Sequence, residues 1–250
     1  LTTPETVERF DGLAYGPDPV WNRLDVYRPI SERGNRLPVI VSIHGGGWVY
    51  GDKELYQFYC MSLAGRGFAV VNFSYRLAPE SKFPAQLEDT NRVMEWVCAN
   101  CETYGFDMDN IFMVGDSAGA HLLGLYTAIC TSPEYAAGYP FKVPQGFIPR
   151  AIGMNCGAYE PLTEEEHEGG VMNLELMGDL LPEKGSPRER RLINVTDHVN
   201  SSFPPVYLMT AVGDFCMDQA PRLREKLKEA GVYCEYKLYG DQERSTTYFT

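Results

Sequence analysis

The stretch NIFMVGDSAGAHLLGLYTAIC, residues 110–130, decides how the rest of the chain is read. Its first half, NIFMVGDS (110–117), is an apolar run ending in a sharp turn, as a buried strand does; its second half has helical spacing. Between them Gly115, Asp116, Ser117, Ala118 and Gly119 form Gly-x-Ser-x-Gly. The composition predicts about 0.1 chance matches to that pattern, so the pattern alone decides little. Its position between a strand and a helix is what a nucleophile elbow requires. Flanking glycines remove side chains that would clash in so tight a turn, leaving the Ser117 hydroxyl exposed at the helix N-terminus. The competing reading is a glycine-rich turn in which Ser117 merely caps the helix.

Working outward, LPVIVSIHGG (37–46) and FAVVNFSYR (68–76) are continuous apolar runs with β-branched residues, the pattern of strands buried on both faces. KELYQFYCMSLAGRG between them has helical spacing and stops at Gly65 and Gly67, and a second helix is predicted from about residue 84 to 101. Toward the C-terminus, 148–158, 204–214 and 232–240 read as strands, the second followed by a helix through QAPRLREKLKEAG. Such alternation predicts a mostly parallel, doubly wound α/β sheet with its strand C-termini along one ligand-binding edge. The first 30 residues read as an antiparallel pair at the sheet edge. No repeat or linker divides residues 1–250, so one domain is expected. Residues 159–203 break the rhythm and are read as a lid insertion, in which Met172, Leu174, Leu176 and Met177 supply an apolar patch.

The charge of −12 over 250 residues argues against nucleic acid as a partner, since phosphate recognition needs a positive surface. No apolar run approaches the ~18 residues of a membrane span, so no membrane partner is expected. The opening LTTPETVERF lacks a signal-peptide pattern, and the absent initiator Met suggests a processed or incomplete chain. Seven scattered cysteines fit reduced thiols in the cytoplasm. Cys98 and Cys101 form the one close pair; with no second pair and no neighbouring His they read as half-buried helix residues, and no metal is expected.

His44, Gly45, Gly46, Gly47 and Trp48 directly follow a predicted strand. Consecutive glycines let backbone N–H groups approach a ligand, as a developing oxyanion requires. With the Ala118 N–H, donors from Gly46 and Gly47 are expected to form that oxyanion hole, and Trp48 to bound the substrate pocket.

The strings HGGGW, YRLAPESKFPAQLED and GDSAGAHL resemble the hormone-sensitive-lipase-like esterases of the α/β-hydrolase fold, over about residues 26–240. The resemblance implies a serine carboxylesterase acting on short acyl esters, acetyl or butyryl, with no cofactor. It also implies that His44 holds its loop instead of acting as the base. After the strand PPVYLMTAV the family carries a Gly and then its acid, which Gly213 and Asp214 match, and Asp218 is read as the N-cap of the next helix. The family's His belongs in a loop after the last strand, within DQERSTTYFT (241–250), where Tyr248 stands instead; the closing helix is missing too. All four histidines, His44, His121, His167 and His198, precede Asp214. Three explanations follow, in order of preference: a chain cut short or frame-shifted at its C-terminus, a variant without the base, or recruitment of another His. The variant has a parallel in plant gibberellin receptors, which resemble this family and bind a small acid, so a ligand-binding module is the alternative function. Self-association through the bare edge of the last strand is the expected protein contact.

Overall fold

The apolar runs become strands and the periodic stretches become helices in the computed structural model, which describes residues 2–162 and 170–241, the side chains of 170–174 excepted. In chain order, β1 (Val7–Ala14) and β2 (Arg23–Pro29) form the antiparallel edge pair, and β3 (Leu37–Ile43), α1 (Lys53–Ala64) and β4 (Ala69–Phe73) the first crossover. Next come α2 (Ala85–Ala99), the short α3 (Cys101–Tyr104), β5 (Phe106–Asp116), α4 (Ala118–Thr131) and the single turn α5 (Pro133–Ala136). Then follow β6 (Ala151–Asn155), α6 (Gly170–Leu180), α7 (Pro187–Ile193), β7 (Val206–Ala211), α8 (Gln219–Glu229) and β8 (Cys234–Tyr239).

The eight strands lie in the order β1-β2-β4-β3-β5-β6-β7-β8. From β4 to β8 every pairing is parallel, and β2 joins β4 antiparallel. The chain leaves β3 toward β4 on one side and returns as β5 on the other, so β3 and β5 flank the point where strand order reverses. In sheets of this kind the C-terminal edge at that point is where ligands bind. The segments that carry His44, Ser117, Cys156 and Asp214 all leave this edge, from β3, β5, β6 and β7.

All five residues of β4 and six of seven in β3 are buried, because helices cover both faces of the central sheet. α4 is buried along nearly its whole length and packs against β5 and β6, so it is a central helix without a polar face. β8 has four exposed residues and is the sheet's terminal strand, with Leu238 50% and Tyr239 46% exposed.

The inserted region contributes helices and no strand among its described residues. Of its four apolar residues, Met177 is buried and Leu176 half-buried, while Met172 and Leu174 fall outside the described side chains. α6 is tied down by Lys82, whose Nζ donates to the carbonyls of Gly178 at 3.0 Å and Asp179 at 2.7 Å, near the helix C-terminus. Asp218 holds the N-cap position of α8, but its side chain makes no capping bond. Residues 216–218 already turn before α8 begins, with Asp218 in helical conformation, and an N-cap bond needs the extended backbone that this turn removes.

Candidate active site

Ser117 occupies the turn between β5 and α4 with φ 49° and ψ −119°, a conformation that costs free energy and persists only where its surroundings fix it. Those surroundings are the two glycines. A methyl group at Gly115 would lie 2.6 Å from the carbonyl oxygen of Gly119, and one at Gly119 would meet the carbonyl of Ile43 and lie 2.6 Å from that of His44. The elbow is therefore packed against the end of β3 with no room for a side chain. The Ser117 N–H is held by the Asn155 carbonyl at 2.9 Å, at the end of β6. Its hydroxyl makes no cap bond to α4, so the reading of Ser117 as an ordinary N-cap fails.

The loop after β3 turns sharply: Gly46 has φ 116°, Gly47 φ 55° and Trp48 φ 63°. The Gly46 carbonyl accepts from Val49 N at 3.1 Å and Tyr50 N at 3.0 Å, which closes the turn from within. Gly45 approaches Asp116 so closely that a side-chain methyl there would strike the carboxylate and lie 3.0 Å from the Asp116 carbonyl oxygen. A methyl at Gly47 would sit 3.8 Å from Leu176, so α6 reaches over this loop.

His44 is fully buried and stacks on Tyr75 with ring centroids 4.1 Å apart. Its Nδ1–H donates to the Gly45 carbonyl at 2.7 Å, its Nε2 has no hydrogen-bond partner, and burial pushes the imidazole down to about 4. His121, in α4, accepts the Trp48 indole N–H on Nδ1 at 3.2 Å and donates from Nε2 to the Ile193 carbonyl at 2.7 Å. Both ring nitrogens are thus occupied, and burial lowers this imidazole to about 4 as well. His198 bonds the Arg191 carbonyl at 2.7 Å and stacks on Tyr135 at 3.9 Å; burial lowers it too. His167 and Tyr248 lie outside the described residues. Trp48 is 3% exposed, so its indole serves as a strut from the glycine loop to His121 and onward to α7.

Asp214 stands in the turn after β7, half-buried, with Oδ1 accepting from Cys216 N at 2.7 Å. Burial raises its carboxyl, while the bonds from Cys216 N–H and the Cys156 thiol oppose that rise. Cys156, directly after β6, has φ 46° and lies between the Ser117 and Asp214 segments. The sequence does not single out Cys156, nor the hydrogen bonds of Asp116 to the Gly45 N–H and the Tyr56 hydroxyl. No local pattern marks them, since their partners are brought in from other strands.

A family model described as alpha/beta hydrolase fold matches residues 40–245. The chain belongs to this family. Its α/β-hydrolase sheet agrees with Esterase B from Lactobacillus rhamnosis, in a structure inhibited by a C4-C4 tributyrin phosphonate: TM-score 0.84, 29% identity, covering 95% of this chain and 75% of that one. An esterase from Pyrobaculum calidifontis matches with TM-score 0.73 and 28% identity over 94% of this chain and 76% of its own. Among curated relatives, the versiconal hemiacetal acetate esterase of Dothistroma septosporum is 29% identical over 86% of this chain and 67% of its own length. The isoprenylcysteine alpha-carbonyl methylesterase of Arabidopsis thaliana is 30% identical over 91% of this chain and 54% of its own. The chain therefore spans about half to two thirds of these relatives' length. The resemblance to hormone-sensitive-lipase-like esterases holds in family and fold. Among the described residues no helix is long and apolar enough to cross a membrane, and no cluster of metal-ligating side chains occurs.

Proposed function

We propose that this α/β-hydrolase cleaves short acyl esters through an acyl-enzyme on Ser117. The observation that carries the reading is the elbow: Ser117 sits half-buried at φ 49°, with no cap bond, at the edge point where β3 and β5 diverge and beside the turned glycine loop. Its oxygen attacks the ester carbonyl carbon, and the carbonyl π pair moves to oxygen, where the N–H groups of Gly46, Gly47 and Ala118 stabilise the charge. An imidazole takes the Ser117 proton and returns it to the departing alcohol, and water then repeats the sequence on the acyl-enzyme. Asp214 is the acid that orients this imidazole. His44, His121 and His198 each bond a backbone carbonyl, which supports a base that is none of these three. A preference for acetyl and butyryl groups is supported by the tributyrin phosphonate on the structural neighbour and by Leu176 of α6 lying over Gly47. The seven free thiols support the cytoplasm as its compartment.

A second reading, a small-ligand pocket without turnover, draws on that same engagement of the three described histidines. Hydrolysis of nitrophenyl butyrate by the 250-residue chain, with and without added imidazole, separates the two. Turnover that vanishes in Ser117→Ala supports the esterase. Turnover that needs free imidazole and also vanishes in Ser117→Ala supports a site whose base is missing. A rate equal to that of Ser117→Ala under both conditions refutes the nucleophile.

A further inference from the structure

The nucleophile and two of the three proposed oxyanion donors, Gly46 and Gly47, stand on segments that leave different strands, and catalysis needs them in register to a fraction of an ångström. One three-cornered set of hydrogen bonds spans that gap. The Gly45 N–H is shared between Asp116 Oδ1 and the Tyr56 hydroxyl oxygen, each at 3.2 Å, and the Tyr56 O–H donates to Asp116 Oδ2 at 2.6 Å. Asp116 is 6% exposed and immediately precedes Ser117; Gly45 immediately precedes Gly46; Tyr56 comes from the first turn of α1. The cross-tie is thus one residue away from the reacting oxygen on one side and from a proposed oxyanion donor on the other. The close approach of Gly45 to the Asp116 carboxylate shows that the first glycine of the loop serves this tie, whereas its neighbours serve the turn.

We infer that Asp116 and Tyr56 are positioning residues that set the distance between Ser117 and the Gly46 and Gly47 N–H groups. The inference rests on the esterase reading for its effect on rate, and on geometry alone for its effect on the loop. Asp116 uses both carboxylate oxygens, one for the loop and one for α1, so the bidentate shape of the side chain matters as well as its charge. Tyr56 is the reporter of choice, because Tyr56→Phe removes one oxygen from the set while keeping the ring on α1. Asp116 Oδ1 keeps the Gly45 N–H in that variant, while the hydroxyl that shares this N–H and bonds Asp116 Oδ2 is lost.

The test has two independent readouts on the full 250-residue chain: the rate of Ser117 phosphonylation by a fluorophosphonate probe, and deuterium exchange in the peptide spanning residues 44–50. Tyr56→Phe should slow phosphonylation by about tenfold and Asp116→Ala by about a hundredfold. Asp116→Asn keeps an oxygen for Gly45 and should fall closer to the parent than Asp116→Ala. For any butyryl ester turned over, the loss should fall on kcat with KM little changed, a split that general loosening would not give. Exchange at 44–50 should quicken in the same order while the peptides of β3 and β5 stay protected. Should Asp116→Ala fail to fold, Tyr56→Phe decides alone. Unchanged exchange and an unchanged labelling rate in Tyr56→Phe overturn the cross-tie, even if Ser117→Ala abolishes labelling. Absent labelling in the parent chain, with and without added imidazole, overturns the nucleophile instead, and quickened exchange in Tyr56→Phe then still upholds the tie.

Discussion

Acidification should unfold this protein from within, through two imidazoles that the fold keeps neutral. His44 and His121 ordinarily titrate at 6.5, and burial pushes each down to about 4. A histidine lowered in this way contributes stability that is fully present above 6.5 and is lost as pH falls toward 4, because the unfolded chain takes the proton first. At pH 5 the unfolded imidazole is nearly all protonated and the folded one nearly all neutral, a difference worth about 2 kcal/mol per group at roughly 1.4 kcal/mol per pH unit. The pair together should remove about 4 kcal/mol between pH 7 and pH 5, a large part of the roughly 5–15 kcal/mol by which domains are stable. The raised carboxyl of Asp214 acts with the opposite sign, since a raised group stabilises at low pH and loses that contribution as pH rises. Comparison with His121→Gln isolates one imidazole from every other group. Urea midpoints measured at half-unit intervals from pH 7 to pH 5 should fall less steeply in His121→Gln, the two stability curves converging by about 2 kcal/mol. Parallel curves would refute the argument that burial holds His121 neutral.

Three further outcomes follow from the packing and the site. Gly119→Ala forces α4 away from the carbonyls ending β3 and should cost about 1–3 kcal/mol and slow Ser117 labelling, whereas Gly178→Ala, with open space around it, should cost nothing; equal melting temperatures for the two would contradict the contact at the elbow. Asp214→Asn should lower butyryl ester turnover by roughly 10²- to 10⁴-fold, and a change under about threefold would remove Asp214 from the charge relay. The outer edge of β8, with Tyr233, Leu238 and Tyr239 exposed, should pair with a second copy. Light scattering over a concentration series should then show association that Leu238→Lys weakens, and a strictly monomeric parent would count against it.

Strand and helix order was legible because burial on both faces writes itself into the sequence as unbroken apolar runs. IVSI and AVVNF became β3 and β4 within a few residues of their expected limits. β5 begins at Phe106, four residues before the expected start, because Phe106 and Asp107 pair with Leu37 and Pro38 ahead of a polar stretch that an apolar pattern could not bridge. The placement of Ser117, the glycine loop and Asp214 after strand ends was readable, since each carries a local motif. Asp116 and Tyr56 were not: their meaning comes from a meeting 60 residues apart in sequence. Nor could the sequence reveal that buried His121 joins Trp48 to the end of α7.

The central claim is that Ser117 is an activated nucleophile in an ester-cleaving site. Intact-mass analysis of the 250-residue chain after exposure to a fluorophosphonate probe, beside Ser117→Ala, tests it most directly, because an unactivated serine reacts poorly. One covalent phosphonyl adduct is expected on the parent, mapped to the peptide containing Gly115 to Gly119, and none on the variant. A parent left unmodified both with and without added imidazole, or an adduct that persists in Ser117→Ala, would contradict it.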